Sequence, residues 1–463
     1  AVPRARIRSY TVGMSAAVAI MQALTALTLF LALVASGGDA LRFGILSGDD
    51  GGAVCFRADL VSLFLLFCVG LVTLASTLTA LTTIDDHRCS YTNLLMTIVL
   101  GMNGMLLVGD LFSLYVFLEI TGTASFVMIA MFKSTRGLEG AFKYLTLSAL
   151  ATILILTGLA FLFMKADSLS YDAIGPQLLT DSADGRSWLC WAALVLLTSG
   201  FAIKSGVAPF HTWLPDAHQS ADTAVSILLS GIVIKIAGVY GLMTLIRLFP
   251  GVAALQISLV LLGLYTIVFG AVLALVQGHF KRVAAYSSVS QMGYILLGLA
   301  AGTKLGLIGA LLHIFSHAAF KSTLFTNAAA LHEQIGTLEL DEMGGLEKRM
   351  PVTAFSSVTA LLSTAGVPPM MGFWSKLIIL LALWSAHMQW VAAIALVLSI
   401  FTGAYFVRLQ KKVFFGKLNP RWEGITEVRG GIRVSEILFT AITIGAGLCF
   451  PLVLLYLQNA GLI

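Results

Sequence analysis

The chain has 463 residues, of which 58% are hydrophobic and 11% charged, with a net charge of +5 and a mean hydropathy of +0.93. Soluble domains carry about 25% charged residues, so a soluble fold with a single anchor is excluded. The basic residues lie in short loops rather than on one face, which leaves no nucleic-acid groove.

Apolar runs of membrane-crossing length recur throughout, and the expected fold is all-α and polytopic. Thirteen spans are expected, near 10–36, 57–82, 92–109, 111–132, 139–165, 188–213, 220–248, 254–277, 283–303, 306–332, 351–386, 388–413 and 434–458. The sequence opens at Ala1 without Met and enters a basic segment (Arg4, Arg6, Arg8), so a further helix upstream is expected. The first span is too long for a secretory signal and has no small-residue cleavage site. Five cysteines (Cys55, Cys68, Cys89, Cys190, Cys449) are dispersed without CxxC or CxxH spacing and read as packing residues. No metal set, dinucleotide-binding glycine turn, Walker loop or Ser/His/Asp pattern occurs, so neither cofactor nor catalytic residue is expected.

In chain order, Glu119 (LYVFLEITG) is the first acid inside a span. A carboxylate there is uphill unless paired, protonated or hydrated; the alternative is structural glue between helices. The sixth span reads FAIKSGVAPFHTWLPDAHQSAD, with Lys204 followed by a helix break at Gly206 and Pro209. A lysine at mid-membrane costs about 2.5–3.5 kcal/mol, so Lys204 needs a wet cavity or a counter-charge, for which Glu119 is the candidate. His211 and His218 follow the break and read as access-path or capping residues. Lys235 (GIVIKIAGV) sits too deep among aliphatics to snorkel comfortably and reads as a buried proton site. Lys281 and Arg282, at a helix end, read as orientation and headgroup residues. His313, His317 and Lys321 (LLHIFSHAAFKS) share a helix face and read as a proton relay rather than a metal site, which would need further ligands. The eleventh span repeats the lysine-and-break combination in GVPPMMGFWSK, with Pro368, Pro369 and Lys376.

Residues 1–91 form N-terminal helices, two five-span blocks cover 92–249 and 254–413, and 414–463 holds a loop and a last helix. Each block carries its broken helix fourth, and an odd number of spans makes the second inverted relative to the first, a common transporter arrangement. Basic loops, including Lys133, Arg136, Lys348, Arg349 and residues 408–433, alternate with acidic ones at Asp39, Asp49, Asp50, Asp167, Asp172, Asp181 and Asp184. The start of the chain is therefore expected on the cytoplasmic side of a cell (plasma) membrane and its C-terminus outside.

The segments FAIKSGVAPFHTWLPDAHQSADTAVS, HFKRVAAYSSVSQMGY, HIFSHAAFKSTLF and VPPMMGFWSK resemble the antiporter-like subunits shared by Mrp-type Na+/H+ antiporters, respiratory complex I and membrane-bound hydrogenases, most of all the D-like Mrp and hydrogenase branches. The resemblance covers about residues 59–430 and implies a fourteen-helix core with inverted repeats and a hydrated polar axis. It makes Glu119 the family's glutamate and Lys204 its paired lysine on the first broken helix, Lys235 the connecting lysine, His317 a bridging histidine and Lys376 the terminal residue on the second broken helix. It also implies partner membrane subunits and transport of protons, with Na+ as a candidate counter-ion. In a redox-driven member such as an NADH-quinone oxidoreductase-like complex, cofactors belong to the partners. The competing expectation is a structural membrane subunit that pumps nothing.

Overall fold

In hydrocarbon every backbone N–H and C=O must be paired within its own segment, so a chain this apolar becomes helical almost throughout. The computed structural model describes residues 4–38, 40–44, 55–179 and 187–459. Asp39, Asp49, Asp50, Asp181 and Asp184 fall outside them. The elements are α1 Arg4–Ser36, β1 Ala40–Gly44, β2 Cys55–Asp59, α2 Leu60–Thr83, α3 Arg88–Leu107, α4 Leu111–Ala130, α5 Thr135–Ala166 and α6 Ser187–Lys204. After them come α7 Trp213–Ser220, α8 Thr223–Leu248, α9 Ala253–Val276, α10 Phe280–Ala300, α11 Lys304–Ile335, α12 Pro351–Ala365, α13 Met371–Ser385, α14 Gln389–Val413 and α15 Gly431–Asn459.

Among the described residues, 12 helices are long and apolar enough to cross a membrane, and two shorter apolar helices, α12 and α13, follow one another where the eleventh span is expected. Starts are set by caps. Asp110 accepts from the Ser113 N–H at 2.7 Å, Ser134 from Gly137 at 3.0 Å and Thr303 from Gly306 at 3.0 Å. The interruptions fall where expected. α6 stops at Lys204 before Gly206 (φ +64°), and α12 stops before Gly366 (φ +83°), a left-handed position that suits glycine.

Two features depart from the helical reading. Residues 57–59 belong to an antiparallel hairpin, Ala40 opposite Asp59 and Gly44 opposite Cys55, so the second span starts only at Leu60. α8 contains two π-helical stretches, Leu229–Val233 and Lys235–Tyr240, a wide-turn geometry that is frequent at functional sites.

The helices pack as two units. One comprises Ala1–Leu74, Arg88–Gly206 and Ile232–Leu255; the other comprises Ala75–His87, Val207–Gly231 and Gln256–Ile463. Residues 207–231, counted with the first block in sequence, pack within the second unit. The second unit has a continuous apolar core built on Phe280, Phe320, Leu324, Leu331, Phe406 and Leu409.

Candidate ion-translocation site

In the first unit, α4, α5 and α6 converge on one ion pair. The Lys204 Nζ donates to Glu119 Oε1 at 2.9 Å and to the Ser148 hydroxyl at 2.7 Å. The Thr152 hydroxyl donates to the same Glu119 oxygen at 2.7 Å. Lys204 ends its helix, where the unpaired C-terminal carbonyls favour a cation. Its side chain is 1% exposed, whereas that of Glu119 is 31% exposed. Glu119 forms part of the wall of an open, mostly apolar cleft of about 570 Å3 with Leu94, Tyr115, Ile120 and Val127 of α3 and α4. Sequence reading found both ions and missed Ser148 and Thr152. Their only signal was a spacing of four on one helix face, which many membrane helices share. Thr152→Val is expected to destabilise the fold by roughly 1–1.5 kcal/mol, the loss of one hydrogen bond, measured as a lowered melting temperature.

Lys235 is fully buried on α8, at the start of a π-helical stretch. Three residues on, Gly238 brings the backbone of α8 against the end of the Lys204 helix. A Cβ there would stand 2.2 Å from the Ser205 nitrogen. This close approach brings the helix of Lys235 beside the break that follows Lys204.

The second unit holds the other candidates. The Lys376 Nζ donates to the Thr364 carbonyl at 2.7 Å and lies 4.6 Å from the centroid of the Tyr294 ring. Thr364 is in the last turn of α12, so the lysine of one half-helix caps the negative end of the other, with a cation–π contact besides. The neighbouring Ser375 hydroxyl meets His313 Nδ1 at 2.9 Å. One helical turn along α11, His317 packs its ring on Phe320 with centroids 5.0 Å apart. Lys321 donates to the Ala284 carbonyl at 2.7 Å and to the Ser287 hydroxyl. His211 and His218 are buried against aromatic rings, Tyr286 at 6.0 Å and Phe325 at 5.0 Å between centroids. Pro209 and the exposed pair Pro368 and Pro369 stand in the two interruptions.

Two readings change. Lys281 is no headgroup residue: it is 5% exposed and its Nζ donates to the Ala221 carbonyl at 2.7 Å. Arg282 is held at 2.7 Å by Asp216 and at 2.9 Å by Gln219. Helix-end position suggested lipid contact, but packing of α7 against the start of α10 buries Lys281 and leaves Arg282 half-buried on Asp216. Half-buried Asp222 caps α8 beside them, accepting from the Ala224 N–H at 2.8 Å; removal from water raises its carboxyl above the usual carboxylate range.

Sequence reading also passed over Glu436, which is wholly buried in α15. The Thr353 hydroxyl lies 2.7 Å from Glu427 Oε1 and 3.3 Å from Glu436 Oε2. With its amide nitrogen facing the acid, Asn327 donates to Glu436 Oε1 at 2.8 Å. The rule that singled out Glu119, an acid inside an apolar span, applies equally to SEILFTAIT and would have found it.

A model of the family described as NADH:quinone oxidoreductase/Mrp antiporter, transmembrane, matches residues 108–402. The chain is 35% identical to NADH-quinone oxidoreductase subunit N of Desulforudis audaxviator over 320 residues, 68% of this chain and 62% of that one. It is 34% identical to F(420)H(2) dehydrogenase subunit N of Methanosarcina mazei over 348 residues, 72% and 69% of the two chains. It is 30% identical to an Na(+)/H(+) antiporter subunit of Alkalihalophilus pseudofirmus over 395 residues, 84% and 78%. The fold is similar to a chain of the Mrp complex from Dietzia sp. (TM-score 0.87, 23% identity, covering 98% and 92%). It is also similar to one of an archaeal membrane-bound sulfane sulfur reductase (TM-score 0.88, 26% identity, covering 100% and 92%). With the family model covering most of the polar sites described above, this multi-span membrane chain belongs to the NADH:quinone oxidoreductase/Mrp antiporter transmembrane family.

Proposed function

We propose that the chain is a proton-translocating subunit of a multisubunit membrane complex, moving protons along a mid-membrane series of Glu119, Lys204, Lys235, His313, His317, Lys321 and Lys376. The observation that supports this most is the Glu119–Lys204 pair, 2.9 Å apart at a helix break and braced by two hydroxyls. At an effective dielectric near 20, that separation corresponds to about 6 kcal/mol of attraction, and stretching it to about 7 Å leaves roughly 2.5 kcal/mol. The difference exceeds the roughly 2.3 kcal/mol needed to move one charge through 100 mV. An ammonium whose counter-charge withdraws gives up its proton more readily, and the next group along the series senses the change.

Glu119, partly exposed on an apolar cleft, is a carboxylate that a neighbouring membrane subunit would complete. The named relatives are themselves subunits of redox and antiporter complexes, which supports such a partner. The basic loops support a cytoplasmic start of the chain in the plasma membrane, with His211 and His218 on the entry side. Na+ as the exchanged ion is part of the same proposal, supported by the similarity to an Na(+)/H(+) antiporter subunit.

The test is the complete complex in sealed vesicles with a pH-sensitive dye. Glu119→Gln should leave assembly on native gels unchanged and reduce proton movement at least about tenfold, a barrier rise of roughly 1.4 kcal/mol. Full-speed transport by that variant would overturn the reading, and disrupted assembly would favour a purely structural role. Replacing Na+ by choline in the same assay decides the counter-ion.

A further inference from the structure

The hairpin-side end of the Lys235 helix carries a polar group that the series above does not use. Arg57 and Asp59 of β2, Ser62 in the first turn of α2, Tyr171 beyond α5, and Tyr240, Thr244 and Arg247 of α8 line a cavity of about 160 Å3. All of them belong to the first unit. Arg247 donates to Asp59 Oδ2, and the other carboxylate oxygen accepts from the Ser62 N–H at 2.8 Å. The Tyr171 hydroxyl and Arg57 Nε are sealed from bulk solvent and find no hydrogen-bond partner among the described residues. Buried polar groups are almost always hydrogen-bonded, so this chamber is built for water. Its volume suits roughly five molecules at about 30 Å3 each.

Two further observations connect the chamber to proton movement. Tyr240 closes the π-helical stretch that Lys235 opens, about one wide turn further along the same helix. The charged groups of the chamber are Arg57, Arg247 and Asp59, and Arg57 also faces Asp172 at 4.0 Å. Burial opposes ionisation of Asp59, but Arg247 and the Ser62 N–H outweigh it and hold the carboxyl below the usual range. Asp59 thus stays ionised at neutral pH. Paired with Arg247, it does not trap a proton that passes through the water beside it.

We propose that this chamber is the release vestibule of the first unit, through which protons leave the Lys235 region by way of Tyr240 and water toward the hairpin side. The inference rests on the translocation reading above. Each hydroxyl on the way accepts a proton on its oxygen and gives up its own, so no group changes its net charge after a passage.

The test uses the complete complex in sealed vesicles of both orientations. Thr244→Cys, with Ser62→Cys as a second position, is treated with a charged, membrane-impermeant thiol reagent, the parent chain giving the background of its native cysteines. Labelling from the hairpin side alone is expected. Tyr240→Phe should slow proton movement about fivefold, as loss of one hydrogen-bonding hydroxyl of about 1 kcal/mol implies, without preventing labelling of Thr244→Cys in the double variant. Absence of labelling at both positions, labelling from the opposite side, or full-speed transport by Tyr240→Phe would overturn the vestibule while leaving translocation by the Glu119–Lys204 pair standing. Labelling as expected in a parent complex that moves no protons would instead overturn the translocation reading and leave a water-filled cavity without that task.

Discussion

Lys204→Met is expected to stop proton movement with the complex still assembled, and Glu119→Leu is expected to destabilise the protein more than Lys204→Met does. The asymmetry follows from burial. Removing the acid strands an ammonium that is 1% exposed, whereas removing the lysine leaves a carboxylate that is 31% exposed and reaches solvent or a proton. Breaking a buried ion pair from one side costs about 3–5 kcal/mol, mostly through the charge left behind. The combined replacement Glu119→Leu/Lys204→Met removes both charges and should recover much of the thermal stability lost by Glu119→Leu, with transport still absent. Heat-induced aggregation followed beside the dye assay separates the two effects. Equal stability of the two single variants would show that the ammonium has another counter-charge.

Gly238→Ala should be among the most damaging single-methyl changes in the first unit. The added Cβ would lie 2.2 Å from the Ser205 nitrogen and 2.4 Å from its Cα, and backbone cannot turn aside as a side chain can. Overpacking of this kind costs about 1–3 kcal/mol, occasionally more, and here the strain falls where the Lys204 helix ends. A lowered melting temperature together with slower transport is expected. Gly403→Ala, on α14 with open space around the new methyl, is the control and should change neither. Unchanged behaviour of Gly238→Ala would mean that the π-helical stretch shifts freely and does not fix Lys235 relative to Lys204.

Much of this was legible in the residues themselves. Hydrocarbon strongly favours helix in every span, so apolar length alone marked the 12 long helices and the pair of short ones that replaces the eleventh expected span. Glycine with proline beside a lysine marked both interruptions. Charges inside spans are expensive enough to be conspicuous, which is why Glu119, Lys204, Lys235 and Lys376 stood out. Ser148 and Thr152 did not, since a hydroxyl inside a helix commonly satisfies itself on its own backbone. The Thr152 hydroxyl, with one hydrogen to give, lies within reach of both the Ser148 carbonyl at 2.9 Å and Glu119 at 2.7 Å.

Lys281 shows the opposite error. Its place at a helix end suggested a headgroup contact, but whether such a lysine faces lipid or protein depends on what packs over it, and nothing local records that. The same holds for the Arg57–Asp59–Arg247 group, drawn from segments nearly two hundred positions apart. Sequence alone determined that the chain crosses a membrane many times, where its helices break and which spans carry charge, because each is a local free-energy cost. Which charge meets which, that Lys376 caps α12 at Thr364, and that α8 widens into π-turns around Lys235 were decided only by tertiary packing, because they depend on the backbones that surround each group.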